Sequence, residues 1–171
     1  VSVAGIVDMV VKIGLITNRI PEATALSRRL QETITQLTPI GKGLRVYVEI
    51  DFSGPVSFGA YSYITDALRL LGVESVYGKE ACEWLTPDLE FVKKVDPDAI
   101  IYEAKMYSRF SKNDLNNLLE KRGWTSMHAV RQGRVFMTPR PLDFLAHHGP
   151  SFITTAMPWL KTSLDSPLQP L

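Results

Sequence analysis

"LRVYVEIDFSGP", Leu44 to Pro55, decides the fold. Its first seven residues are rich in β-branched side chains and predict a buried strand over 44–50. Working outward, "DAIIY" (98–102) predicts a second buried strand and "GRVFMT" (133–138) a third. Helical stripes lie around them. Pro21 suits a first helical position, and Leu26, Leu30, Ile34 and Leu37 recur at helical spacing until "TPIGKG". Tyr61, Ile64, Leu68 and Leu71 form the next stripe, closed by Gly72. In Thr86-Pro87-Asp88, Thr86 is expected to cap a helix, with proline in the first turn and an acid at the positive end of the dipole. Residues 111–121 predict a polar-faced helix, 124–130 a short irregular one, and 150–164 a final helix kinked or shortened by Pro158. Short apolar strands alternating with helices predict an α/β fold, a parallel sheet covered on both faces.

Composition narrows the function. With 171 residues, 45% hydrophobic and 22% charged, the chain is long enough for a sizeable core. A formal net charge of +1 supplies no basic field, which argues against a nucleic-acid partner. One cysteine, Cys82, excludes an internal disulfide and a cysteine-based zinc cluster, and is expected to be a small buried hydrophobe.

"VSVAGIVDMVVKIGLI", residues 1–16, is apolar on nearly every side of a helix, yet carries Asp8 and Lys12 and falls short of the ~20 residues of a membrane span. A helix apolar all round wants burial on all sides. Its natural neighbour is therefore expected to lie outside this chain, which would be part of a longer protein; the alternative is docking on the core that follows.

In parallel α/β sheets, ligands bind beyond the carboxyl ends of the strands. That rule selects Asp51–Pro55, Glu103–Tyr107 and "PRPLDFLAHHGP" (139–150), all rich in aromatic, basic or proline residues. The chain has no GxGxxG or GxxxxGK[ST] phosphate cradle and no GxSxG elbow. Adjacent His147 and His148 point apart on any regular element and do not grip one ion together; no metal site is assigned. Two readings stand for them: ligand contact, or one capping the final helix with the other solvated. Arg140 offers a planar fork to an anionic group or forms a surface salt bridge, and Lys105 is a weaker case of the same. Phe52, Tyr107 and Phe144 together suit the lining of one pocket.

The order of "RVYVEIDFSGPVSFGAYSYITDALRLLG", "TPDLEFVKKVDPDAIIY" and "W…AVRQGRVFMTPR" resembles the second lobe of the substrate-binding proteins of metal-chelate ABC importers, the ferric-siderophore, haem and vitamin B12 type. The similarity runs over residues 5–163, and "LEFVKKVDPDAII" and "AVRQGRVF" are its most specific pieces. It implies a three-layer α/β sandwich lobe over residues 40–171, preceded over 1–39 by the long helix that joins two lobes, with the amino-terminal lobe and any lipid-anchor cysteine absent. It further implies non-covalent, extracytoplasmic capture of a ferric siderophore, haem or cobalamin and delivery to a membrane permease, with no enzymatic step and no resident cofactor. Phe52, Lys105, Tyr107, Arg140, Phe144, His147 and His148 fall on the matching ligand segments. Glu90 falls at the matching position for permease docking, with Glu83 the nearby alternative. The rival reading is a chelatase-like enzyme inserting metal into a tetrapyrrole, with His147 and Glu103 on one wall.

Overall fold

A computed structural model describes residues 1–41, 43–139 and 143–166. Three strands form where the apolar runs predict them: β1 (Arg45–Asp51), β5 (Ala99–Glu103) and β6 (Val135–Met137). They pair in parallel, β1 with β5 and β5 with β6. Three short strands were not legible in the sequence. β2 (Pro55–Phe58) returns antiparallel to the end of β1, β4 (Trp84–Leu85) pairs antiparallel with β2, and β3 (Glu74–Ser75) runs parallel to the start of β1. The sheet order is β4-β2-β1-β5-β6, with β3 also on β1.

Both faces of the sheet are covered. Val46, Val48, Ile50, Ala99 and Ile101 point into one core, with Leu30 of α2 (Ile20–Gln36), Ile64 and Leu68 of α3 (Tyr63–Leu70), and residues of α1 (Val3–Ile16) and α7 (Met157–Asp165). Tyr47, Ile100 and Tyr102 point into the other, with Val92 of α4 (Leu89–Val95), Leu115 and Leu119 of α5 (Lys112–Lys121), and Ala129 of α6 (His128–Arg131). Strand alternation thus divides one sheet between two cores, giving three layers.

Local chemistry explains most helix boundaries and corrects two expectations. Ser62 caps α3 by accepting from the N–H of Ile64, and Ser111 forms a capping box with Asp114. The cap of α4 is Asp88, whose carboxylate accepts from the N–H groups of Glu90 and Phe91 at 3.0 and 3.1 Å; Thr86 stands outside the helix. Tyr61 lies in the turn before α3 and is exposed, so the buried stripe begins at Tyr63. Pro158 has no N–H to give the preceding turn, and a π-helical turn (Phe152–Ala156) leads directly into α7. Cys82 is half-buried rather than core.

The two amino-terminal helices pack as a pair. Gly14 allows their close approach, because a Cβ there would lie 2.2 Å from that of Ala23. α1 buries Val3, Ile6, Val7 and Val10 against the lobe and leaves Val11, Ile13, Leu15 and Ile16 exposed. Docking on the following core therefore satisfies one stripe of this helix and not the other.

One charged pair crosses the second core. Arg122 donates two hydrogen bonds of 2.8 Å to Glu49 of β1, and the hydroxyl of Tyr47 donates to the same carboxylate at 2.6 Å. The guanidinium lies 5.0 Å from the ring centre of Trp124. Burial first, then the Glu49 charge, holds the Tyr47 hydroxyl proton well above the usual tyrosine range. Arg122→Ala leaves the Glu49 charge buried with one remaining partner, so a loss of about 3 to 5 kcal/mol is expected in urea unfolding. The double change Glu49→Leu with Arg122→Met should cost clearly less; an equal or larger loss would show that the pair stabilises the fold beyond compensating its own burial.

Candidate functional site

The carboxyl ends of β1 and β5 lie side by side because Ile50 pairs with Glu103. After β1 the chain reverses through Phe52-Ser53-Gly54. The Asp51 carboxylate accepts from the N–H groups of Ser53 and Gly54, at 2.9 Å each. This local bond competes with strand continuation and closes the turn. Ser53 adopts a positive φ of 74°, and Phe52 projects outward, 56% exposed. Lys105, just beyond β5, donates from Nζ to Ser53 Oγ at 2.8 Å and so bridges the two strand-end loops. Tyr107 follows at a positive φ of 61° and is 78% exposed. Ser53 and Tyr107 are two of the four non-glycine residues with positive φ among the described residues, the others being Asn18 and Asp96.

β2 and β4 supply one wall of a cavity of about 370 Å³. Phe58 stands opposite Trp84 across that strand pair, and Phe52, Val56, Phe58 and Trp84 line the cavity. The facing wall is Tyr63, Ala146 and His148, with Glu83 and Ser62 completing the lining. The imidazole of His148 lies 5.8 Å from the ring of Tyr63.

The loop carrying His148 is fixed from below. Glu103, 3% exposed, accepts from the consecutive N–H groups of Phe144, Leu145 and Ala146 at 3.2, 2.5 and 3.2 Å. The Tyr63 hydroxyl donates to the Leu145 carbonyl at 2.6 Å. Burial pushes the Glu103 carboxyl above its ordinary range, while the three N–H donors pull it down and Asp143 adds to the rise. The Tyr63 hydroxyl is likewise raised, by burial first and then by the Glu103 charge.

Phe52 and His148 therefore share one cavity, while Lys105 lies outside its lining, bonded to Ser53 in the turn that carries Phe52. Tyr107 stands on the next loop, outside that lining. His147 is exposed and lies over Gly149, its ring 6.4 Å from that of His148. Phe144 is a correction: it is buried, edge-on to Trp159 at 5.4 Å, and belongs to the core. The pairing of His147 with Glu103 does not form, since the Glu103 carboxylate is committed to three backbone donors. Arg140 lies outside the described residues. Glu90 is exposed in the first turn of α4, which opens at the same end of the sheet because β4 runs parallel to β1. Trp84, Phe58 and Tyr63 escaped the sequence reading, and "PVSF" before a glycine was the one signal for the missing wall. Among the described residues, no three His, Cys, Asp or Glu side chains gather to hold a metal ion, and no helix is long and apolar enough to cross a membrane.

An open, aromatic-walled cavity at the strand ends of a three-layer lobe lies where α/β folds place their ligands. Residues 2–142 match the family model described as periplasmic binding protein, and the chain belongs to that family. No curated protein matches the sequence. Among solved structures, a possible iron-binding (periplasmic solute-binding) protein from Staphylococcus epidermidis is similar at 21% identity, with a TM-score of 0.77 over 95% of this chain and 62% of that one. An ABC-type Fe3+-hydroxamate transport system protein from Saccharomonospora viridis matches at 16% identity and a TM-score of 0.77, over 97% and 57%. S. aureus IsdE complexed with haem matches at 18% and 0.74, over 95% and 64%. The chain spans about three fifths of the length of these structures.

Gly59 joins the hairpin wall to the loop before Trp84. A Cβ there would lie 2.5 Å from the carbonyl oxygen of Cys82 and 2.7 Å from that of Glu80, both backbone atoms. Gly59→Ala is therefore expected to destabilise by about 1 to 3 kcal/mol and to change the emission of the exposed Trp84 as the wall shifts. Unchanged stability and emission would show that the β2–β4 wall yields freely.

Proposed function

We propose that this chain provides one wall of the substrate cleft of an ABC importer's binding component, which captures an iron chelate (siderophore or haem) or cobalamin outside the cytoplasm and hands it to a membrane permease. The observation that carries this reading is the aromatic cavity at the strand ends, in a chain of the periplasmic binding protein family. Likeness in fold to structures described as iron-binding, Fe3+-hydroxamate and haem proteins supports the choice of ligand class. On this reading residues 40–171 form the lobe and residues 1–39, built as the pair α1 and α2, its connection to a second lobe. That second lobe would close the other half of the cleft.

The roles follow from placement. Phe52, Phe58 and Trp84 give apolar area to a large, partly planar ligand. His148, on the facing wall, donates a hydrogen bond or ligates the metal of the chelate, and exposed His147 stands next to it. Lys105 holds the hairpin turn through Ser53 and adds positive charge at the rim, Tyr107 belongs to the loop after β5, and Arg140 is the candidate partner of an anionic group on the chelate. Binding is non-covalent throughout, so affinity rests on buried aromatic area and preorganised loops. Glu90 is the docking acid: it is exposed at the open end of the lobe, whereas Glu83 is part of the cavity lining.

Titrating the protein with haemin, a ferric trihydroxamate and cobalamin, followed by absorbance and tryptophan emission, tests the reading. One of the three is expected to bind, with Trp84→Ala weakening it about tenfold or more, the scale of a buried aromatic contact. Binding of none would overturn it. Glu90→Lys should leave chelate affinity unchanged while slowing association with the permease on the order of tenfold at low salt, an effect that fades as salt rises. Equal association rates for the two proteins at low salt would remove Glu90 from the docking surface.

A further inference from the structure

We propose that Glu103 is the positioning residue of the ligand wall: its buried carboxylate holds the loop that presents His147 and His148. The inference rests on the reading of that loop as a wall of the cleft, and it assigns the wall's placement to one side chain.

Residues 143–149 belong to no helix or strand, so no ladder satisfies their backbone. Buried N–H groups without partners are costly, and here three successive ones converge on a single carboxylate at the end of β5. A negative charge suits three donors that point to one place. No cation contributes to its bonding among the described residues; the charged neighbour is Asp143, of like sign. An apolar residue at the end of β5 would avoid the burial of a charge, so the core gains nothing from a glutamate here. The loop gains its anchor. Two apolar pegs assist: Leu145 is fully buried, and Phe144 is fixed on Trp159.

The anchor reaches the histidine through Tyr63. The Tyr63 hydroxyl takes the Leu145 carbonyl, and its ring is the neighbour of the His148 imidazole. Carboxylate and hydroxyl thus grip the backbone of Leu145 from its two sides, three residues before His148. The imidazole keeps its place because the peptide before it is held. The same geometry turns Glu103 away from direct ligand contact, since among the described residues its bonds run to the loop.

Glu103→Gln tests the assignment by amide hydrogen exchange and by the ring-proton resonances of His148. Loss of the charge-assisted bonds is expected to speed exchange at Phe144, Leu145 and Ala146 by about tenfold or more, with Leu68 in α3 unchanged. The His148 resonances should lose the ring-current shift due to Tyr63. Unchanged exchange and unchanged His148 resonances would overturn the proposal. If that variant does not fold, Tyr63→Phe keeps the burial and removes the hydroxyl; it too should move the His148 resonances, and no movement would overturn the shared anchor. Titration of the same variants with haemin, a ferric trihydroxamate and cobalamin separates this proposal from the function it rests on. A chelate bound equally by wild type and a loosened Glu103→Gln would overturn the positioning role. Binding of none by the wild type would instead overturn the proposed function, while faster exchange at 144–146 would still support Glu103 as the residue that holds the loop.

Discussion

The register of β1 against β5 is the constraint on which the rest depends. Five successive pairs, from Val46 with Ala99 to Ile50 with Glu103, set the two strands level at their carboxyl ends. A slip of one residue would turn Val46, Val48 and Ile50 away from their core and bring Tyr47 and Glu49 into it. It would also separate the turn after Asp51 from the loop after Glu103. The alignment that fills two cores therefore also sets the two loops side by side, and Lys105 can reach Ser53 only because of it.

Two buried carboxylates stand near this junction and are satisfied in different ways. Glu49, on one face, has a bidentate arginine and a tyrosine hydroxyl, so its charge is balanced within the second core. Glu103, on the other, is held by three backbone N–H groups, with no cation in its bonding among the described residues. The first arrangement ties α5 to the central strand and serves the fold. The second ties an irregular loop to the sheet and serves whatever that loop touches. Neither partner set was visible in the sequence, since Arg122 lies 73 residues from Glu49 and Leu145 lies 42 from Glu103.

What the sequence made legible follows the same physics. β1 and β5 are largely apolar runs because both of their faces are buried, and such runs declare themselves; β6 is half-buried but still apolar. β2 and β4 are four and two residues long and exist through pairing with each other and with β1, so no local periodicity announced them. With them went half of the cavity wall, including Trp84. The strand-end rule depends only on chain direction in a parallel sheet, and the segments it selects carry Phe52 and His148 into one cavity, with Lys105 bonded to Ser53 beside Phe52. It failed for Phe144, because a loop aromatic becomes core when a distant helix supplies a partner, here Trp159. Thr86 was preferred to Asp88 as a cap for a similar reason: both residues cap well, and the choice falls to where the chain leaves β4.

The two walls of the cavity consequently differ in kind. The hairpin wall is made of paired strands, with Phe58 opposite Trp84 and Gly59 packed against the backbone of Cys82, so its shape is set by main-chain bonding. The histidine wall has no ladder; its position comes from two side chains that grip one short segment. Substitutions within that segment leave Glu103's bonds intact, because the bonds are made to N–H groups that nearly every residue carries. A lobe built this way can change the side chains at this cavity while keeping the loop in place. The strands and Glu103 thereby fix the backbone, and the side chains of the loop are left free to vary.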